Sequence, residues 1–314
     1  MVSHVTAFHG LIQAKHDIIC KASELASSGS IKLIKPPALD SASGTGTAFA
    51  LLVNDVSYAT AERELGIPTS VALVNDILLA GMGRDVWVDD QFIDMSPVDS
   101  VQAFLDWLEA VPVGISLDTL QARFIAAFLR GVLAGGDGLP LAENIPATLR
   151  TVMGEVATLH DLTETLATDW SSLRKRAIQV TRELEHTQFE PLAVFVESIV
   201  WPTRTVPEEL PNAFQRLQGA IRRQEGRKSY TQEELDLQTN YLEAVIRFQK
   251  VNSTLSAHEV VAQLPEAKML GDFLKSERGQ QVKRDSLEIG SQVGASIATY
   301  AYSIWISTTR SIAV

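Results

Sequence analysis

Residues 146–188 read PATLRTVMGEVATLHDLTETLATDWSSLRKRAIQVTRELEHTQ, and this stretch decides the predicted fold. Apolar residues recur in it every three or four positions, which is the spacing of one face of an α-helix. The members of this face are Val152, Val156, Leu159, Leu162, Leu166, Trp170, Leu173, Ala177, Val180 and Leu184. Pro146 suits the first helical turn, where its missing N–H costs nothing. We therefore predict one long central helix over about 146–188, roughly 40 residues and about 60 Å long, in an elongated, multi-helix, mainly α protein.

The rest of the chain is also mostly helical in pattern. Capping motifs such as Thr231–Glu234 and several proline-led amphipathic runs indicate further helices. The exception is a small β element in the first third, where residues 85–95 read as two short strands. We expect an acidic, mixed but mostly helical domain over 1–140, the central helix with an apolar extension over 141–202, and a helical region ending in an apolar helix over 203–314.

The composition is apolar for a globular protein and its charge is unevenly distributed. Hydrophobic residues make up 46% of the 314 residues, and the net charge is −11. Residues 1–150 hold 9 Lys and Arg against 17 Asp and Glu, whereas residues 151–314 hold 18 against 21. The overall charge argues against a wholly basic nucleic-acid-binding protein. The apolar content and the charge difference between the halves favour contacts between copies of the chain, and we expect a homo-oligomer.

The single cysteine and the first ten residues bear on the compartment. One cysteine, Cys20, excludes an intrachain disulfide framework, and its apolar neighbours predict a buried thiol. Met1 to Gly10 lacks the basic segment and apolar run of a signal peptide. We expect an intracellular (cytoplasmic) protein or one enclosed within a viral particle.

A local basic patch interrupts the acidic sequence. It comprises Arg216, Arg222, Arg223, Arg227 and Lys228, with Glu225 the only acid among the last four. Such a patch suits the phosphates of nucleic acid, an anionic membrane surface, or an acidic surface of a neighbouring copy. The simpler interpretation is a solvated helix end. Among the functional alternatives we favour pairing with the acidic half of another copy.

The C-terminal segment has the features of a helix that packs closely against another helix. Ile289 to Thr309 contains no charged residue, and Gly290 and Gly294 form a small-residue packing motif. With Val293 and Ile297 they make the predicted self-association surface. Because serine, threonine and glutamine dilute the segment, a buried or inter-subunit helix is favoured over a membrane span, although membrane contact stays an alternative.

One acidic cluster bears on enzymatic function. The motif Asp89-Asp90-x-x-x-Asp94 resembles the aspartate-rich motif of class I terpenoid synthases, and Asn54-Asp55 with Glu62 loosely resembles that family's second metal motif. The resemblance implies Mg²⁺ held against a diphosphate substrate by these carboxylates. The second motif lies upstream of the first here, whereas the family has it downstream. An acidic turn between two strands is the competing interpretation.

These observations favour a non-enzymatic structural protein that self-assembles into a filament, shell or ring, most concretely a virus or phage coat or nucleocapsid-like subunit. The sequence contains no Gly-x-Ser-x-Gly, HExxH or CxxC motif, so we expect no catalytic residues, no cofactor and no metal site. Two alternatives remain: a membrane-active, pore-forming-like helical protein that uses the C-terminal segment, and the Mg²⁺-dependent diphosphate enzyme.

Overall fold

The computed structural model describes residues 5–88, 91–136, 139–162, 167–203, 205–251 and 264–312. Within them the chain is mainly α-helical, as predicted, and the β structure is confined to the first third. It consists of two antiparallel two-stranded sheets. The first pairs β1 (Leu39–Asp40) with β2 (Thr45–Gly46), and the second pairs β3 (Arg84–Val88) with β4 (Gln91–Met95). The second sheet is the predicted β element.

Thirteen α-helices are described in these ranges. The first six are α1 (Ile12–Ser27), α2 (Ala48–Val53), α3 (Tyr58–Leu65), α4 (Thr69–Gly81), α5 (Val98–Ala110) and α6 (Leu120–Leu133). The remaining seven are α7 (Ala147–Asp161), α8 (Ala167–Glu183), α9 (Glu190–Ser198), α10 (Val206–Arg227), α11 (Gln232–Val251), α12 (Pro265–Lys275) and α13 (Glu277–Ser311).

The prediction of a single central helix over 146–188 is wrong. The stretch forms α7 and α8, and Leu162 between them has extended backbone angles. The two helices fold back on each other: Arg176 of α8 donates a hydrogen bond of 2.8 Å to Glu155 of α7, and the His160 and Trp170 rings lie 4.9 Å apart. The elongated shape inferred from one long helix therefore loses its basis.

Packing explains why the chain folds back here. Both helices carry the predicted apolar face, and Val152, Val156, Trp170 and Leu173 are buried. A straight helix of this length would leave part of its apolar stripe in water, whereas a hairpin packs the two stripes together and adds α9 against α8. The three-to-four-residue spacing continues across the connection, which is why the sequence pattern conceals the break.

The C-terminal helix α13 holds the fold together in place of the predicted central helix. It spans 35 residues and packs against α10, α4, α5, α6 and β3. Its Trp305 stacks on Trp107 of α5 with ring centroids 6.4 Å apart. The Trp107 indole N–H donates to Thr309 Oγ1 over 3.0 Å, so α13 is attached by aromatic packing and by a buried hydrogen bond.

One apolar core joins all three segments into which we divide the sequence. It contains Phe49 and Trp107 from the first, Val156 from the second, and Phe214 and Trp305 from the third. The three-part division itself stays a prediction about organisation along the chain.

Two buried polar residues of α4 connect it to its neighbours. The Tyr302 hydroxyl of α13 donates to Asn75 Oδ1 over 2.8 Å, and the Tyr58 hydroxyl donates to Asp76 Oδ2 over 3.0 Å. Burial raises the pKa of the Asp76 carboxyl to about 7, although the hydrogen bonds from Tyr58 and from the Phe49 backbone N–H oppose this increase.

His160 is buried at the α7–α8 contact. Its Nε2 donates to the carbonyl oxygen of Ile199 over 3.1 Å. Burial lowers the pKa of His160 to about 4, because the charged imidazolium loses its hydration there. The ring is therefore neutral at physiological pH.

Cys20 is exposed, so the predicted buried thiol is wrong. It lies on the outer side of α1, where its Sγ is 3.8 Å from Nδ1 of His16. The apolar neighbours Ile18 and Ile19 belong to the side of the helix that packs on the core.

Candidate functional site: a basic groove and a helical arm

A groove of about 1160 Å³ runs along one face of α10. Two of its lining residues, Gly219 and Ala220, have no side chain or a very small one. One wall is the segment from His186 to Val194, which leads into α9, and Tyr230 and Leu235 form the opposite end. We call this surface the basic groove.

Four of the five residues of the predicted basic patch line the groove: Arg216, Arg223, Arg227 and Lys228. All four are exposed. Lys228 forms an ion pair of 2.6 Å with Glu225. No ion pair or hydrogen bond involves the side chains of the three arginines within the described part of the chain, so their guanidinium groups are available to a ligand.

The groove contains little negative charge to offset these cations. Glu190 is the only carboxylate among its lining residues, and its Oε2 accepts a hydrogen bond of 2.7 Å from the backbone N–H of His186. The other polar lining residues are neutral hydrogen-bonding groups: Thr187, Gln188, Asn212, Gln215 and Gln224. A positive field in an acidic protein is thus concentrated in one concave place.

Arg222, the fifth predicted residue, does not belong to this surface. It is half-buried, and its Nη2 lies 3.3 Å from the carbonyl oxygens of both Gly81 and Gly83, to which it donates. The neighbouring Gln218 donates to Gly81 O over 2.7 Å and to Gly294 O over 3.0 Å. Arg222 and Gln218 therefore satisfy the carbonyls at the C-terminal end of α4, where a cation also complements the helix dipole.

The basic residues of α8 do not enlarge the groove as a continuous basic surface. The guanidinium of Arg174 lies 3.5 Å from the centre of the Trp201 ring, a cation–π contact. Arg176 is paired with Glu155. Both side chains have partners within the chain.

Helices α11 and α12 form a second distinctive feature, which we call the helical arm. They pack on each other around a small cluster separate from the main core, with Ala244 and Leu264 buried and Val245, Phe248 and Ala267 around them. Arg278 pairs with Glu234 over 2.8 Å at the base of the arm. None of the residues of α12 is fully buried.

Both helices of the helical arm expose large apolar side chains. Leu242 and Ile246 of α11 are 52% and 53% exposed, and Met269 of α12 is 60% exposed. Leu242 and Ile246 are four residues apart and share one face of α11, whereas Ala244 and Phe248 face α12. Helix α11 is thus apolar on two sides, and among the described residues only the side that faces α12 is covered.

The predicted self-association residues lie inside the chain. Gly290, Gly294 and Ile297 are buried, and Val293 packs against the core. A methyl group at Gly290 would lie 2.6 Å from the Arg222 carbonyl oxygen, so the small residues let α13 approach α10 of the same chain. A second copy can reach this face only if α13 is displaced, and self-association through it stays a prediction.

The described residues show no metal-binding arrangement at the aspartate motif. Asp89 and Asp90 lie outside them, and Asp94 is paired in register with Asp85 across the β3–β4 sheet. Asp55 accepts from Thr60 Oγ1, and Glu62 accepts from the Thr69 N–H, so the residues of the second motif stabilise helix starts. Within the described ranges, no group of three or more His, Cys, Asp or Glu residues could hold a metal ion.

The test for membrane-spanning helices, applied to the described residues, finds no single helix of sufficient length and hydropathy. Helices α3 and α4 pass it together, but as a pair bent by 117°. The uncharged Ile289–Thr309 segment lies within α13.

The sequence predicts four cationic residues of the basic groove but neither its other lining residues nor the helical arm. The walls at 186–194 were not foreseen because they approach α10 only in the folded chain. The spacing of Leu242 and Ile246, on a different side of α11 from Ala244 and Phe248, is the signal that could have revealed the exposed face.

Comparisons with known proteins add no assignment. No protein-family model matches the chain, and neither a curated protein nor a solved structure is similar to it.

Proposed function

We propose that this chain is a non-enzymatic structural subunit that self-assembles through its helical arm into a ring, shell or filament, most concretely a nucleocapsid-like assembly. The observation that carries the proposal is the apolar face of α11 formed by Leu242 and Ile246, which is about half exposed in the described part of the chain. Helices with apolar residues on two opposite sides are normally buried on both. A second copy of the chain is the occupant that we assign to the outer side.

The energetics of this face suit an assembly contact. Fully burying a Leu, Ile or Met side chain stabilises by about 1.5–3 kcal/mol. Because Leu242, Ile246 and Met269 are about half exposed, covering their remaining surface contributes on the order of 1 kcal/mol each. Leu242 and Ile246, which share one face of α11, would form the apolar centre of an interface, with the surrounding charged residues of the arm as its rim.

The composition supports the same proposal. The net charge of −11 is concentrated in the N-terminal half, which favours oriented contacts between unlike surfaces over random association. Contact between two arms would be isologous and close a dimer, whereas contact of the arm with a different face would be heterologous and propagate into a ring or filament. The native mass distinguishes these two arrangements.

The experiment compares the native mass of the wild-type chain and of the double variant Leu242→Glu, Ile246→Glu by light scattering. We expect the wild type to elute as a multiple of 34.3 kDa and the variant to elute as the monomer. Charges on an assembly face must be desolvated, so the loss of mass should be complete at micromolar concentration.

The matched control is Leu11→Glu, Ile12→Glu, which adds the same two charges at exposed apolar positions of the N-terminal region. We expect this control to keep the wild-type mass. An equal loss of mass in both variants would attribute assembly to general surface hydrophobicity, and a wild-type mass for the arm variant would contradict the proposal.

A further inference from the structure

We infer that the basic groove binds the phosphate backbone of a single-stranded nucleic acid. The inference deepens the proposed nucleocapsid-like function and rests on it, but the arginines that it concerns lie on α10, and Leu235 is the one described residue of the helical arm that lines the groove. It commits to nucleic acid as the ligand, although pairing with an acidic neighbour is the role that the sequence alone favours for these residues.

The arrangement of the charges favours a linear polyanion. Arg216, Arg223 and Arg227 follow one face of α10, and the distance from the first to the last is about 16 Å at the rise of an α-helix. This is a row of cations along a groove, not a cluster around one point. Each guanidinium is exposed and unpaired among the described residues, and its planar fork suits two-point contacts with phosphate oxygens.

The lining of the groove supplies contacts for the rest of a nucleotide. Tyr230 stands at the end where Arg227 and Lys228 lie, and an aromatic ring there offers a stacking surface for a base. Gln188, Gln215 and Gln224 add neutral donors and acceptors. Gly219 and Ala220 lie between Arg216 and Arg223 in the lining and add little side-chain bulk beside the arginines.

The lining of the groove argues against a protein partner. A protein partner needs apolar anchor pockets at the centre of its interface, whereas the centre of this groove is formed by a glycine and an alanine flanked by arginines.

The test measures fluorescence anisotropy of a labelled oligouridine, roughly 12 nucleotides long, with the wild type and with Arg223→Ala, Arg227→Ala. We expect the variant to bind at least tenfold more weakly at about 0.1 M salt. The slope of log affinity against log salt should fall by about 1.4, because each phosphate contact of a single strand contributes about 0.7.

Arg123→Ala, Arg310→Ala is the matched control, since both arginines are exposed, lie on α6 and α13 away from the groove, and remove the same charge. We expect it to bind within twofold of the wild type. A second variant, Arg223→Glu, tests the site with one substitution, and circular dichroism checks that each variant is folded.

Four outcomes would overturn the inference: no binding by the wild type, an equal loss in the control and groove variants, unchanged binding by the groove variants, or equal affinity for a duplex of the same length. If the groove variants instead lower the native mass of nuclease-treated protein, the arginines pair with another copy. Failure of the proposed self-assembly is a different result: the nuclease-treated wild type is then a monomer by light scattering, whether or not the groove binds the oligonucleotide.

Discussion

The C-terminal helix α13 and the helical arm are both apolar helices from the last third of the chain, yet the fold uses them in opposite ways. Helix α13 has small residues at Gly290 and Gly294, and from Gly290 onward one of its sides is buried against the rest of the chain, whereas Leu287 and Ile289 are each 39% exposed. The helical arm buries only a local cluster and exposes Leu242, Ile246 and Met269. The comparison teaches that apolar content does not tell whether a helix faces the core or a partner. Small residues at regular spacing permit close approach to a neighbouring helix, whereas large exposed side chains indicate a surface still to be covered.

The largest expected effect contrasts one isoleucine from each region. Ile297 is fully buried and Ile246 is half exposed. We expect Ile297→Asp to lower the free energy of unfolding by more than about 4 kcal/mol, because it buries a charge without a partner, whereas Ile246→Asp should change it by less than about 0.5 kcal/mol. Urea denaturation of dilute, monomeric protein measures both. Similar values for the two variants would abolish the distinction between inward and outward helices.

The second prediction concerns the pH dependence of the free energy of unfolding, to which two buried residues of the interior contribute. Asp76, with its raised pKa of about 7, contributes stability that is fully present below about pH 4 and is lost as the pH rises to about 7. His160, with its lowered pKa of about 4, contributes stability that is present above about pH 6.5 and is lost as the pH falls to about 4. Each slope amounts to about 3–4 kcal/mol in total, and the two oppose each other.

We therefore expect the wild-type free energy of unfolding to vary little between about pH 4 and pH 6.5, because the two slopes largely cancel there. Asp76→Asn should reveal stability that rises with pH over this window, and His160→Gln should reveal stability that falls with pH. Denaturant titrations at several pH values measure these slopes. Two variants with the same slope as the wild type would show that neither buried group titrates as its burial requires.

The smallest expected effect contrasts two glutamines. Gln218 donates to the carbonyls of Gly81 and Gly294 in the interior, whereas Gln232 donates to Asp236 on the exposed surface of the helical arm. Gln218→Ala should cost about 1–3 kcal/mol of unfolding free energy, because two buried carbonyls lose a donor. Gln232→Ala should cost less than about 0.5 kcal/mol, measured by the same denaturation. If Gln218→Ala costs no more unfolding free energy than Gln232→Ala, the hydrogen bonds of Gln218 do not stabilise the junction of α4, α10 and α13.

The sequence predicts the local features of this fold well and its long-range contacts poorly. The periodicity of residues 146–188 identifies several buried side chains, including Trp170 and Leu173, but Leu162 is 49% exposed and Leu166 lies outside the described residues. It does not reveal the break after Asp161, because the spacing of apolar residues continues across the connection. The contact between His160 and Trp170 and the hydrogen bond from Arg176 to Glu155 show that the two halves fold back.

The candidate site follows the same rule. The basic residues of the sequence predict the cations of the groove, since Arg216, Arg223 and Arg227 share one exposed side of α10 and Lys228 follows at its end. The inward direction of Arg222 depends on the end of α4, which is far away in the sequence, so no local pattern predicts it. Likewise, the Gly290 and Gly294 pair correctly indicates close helix packing, but not that the partner is α10 of the same chain.

The most direct test of the central claim is the native mass of the wild-type protein by light scattering after nuclease treatment, over a dilution series, with the 260/280 nm absorbance ratio read on the same peak. We expect an assembly whose mass is a multiple of 34.3 kDa, that persists without nucleic acid and dissociates on dilution as an arm-mediated contact requires. A monomer at every concentration would contradict self-assembly and leave the exposed face of the helical arm without its proposed partner.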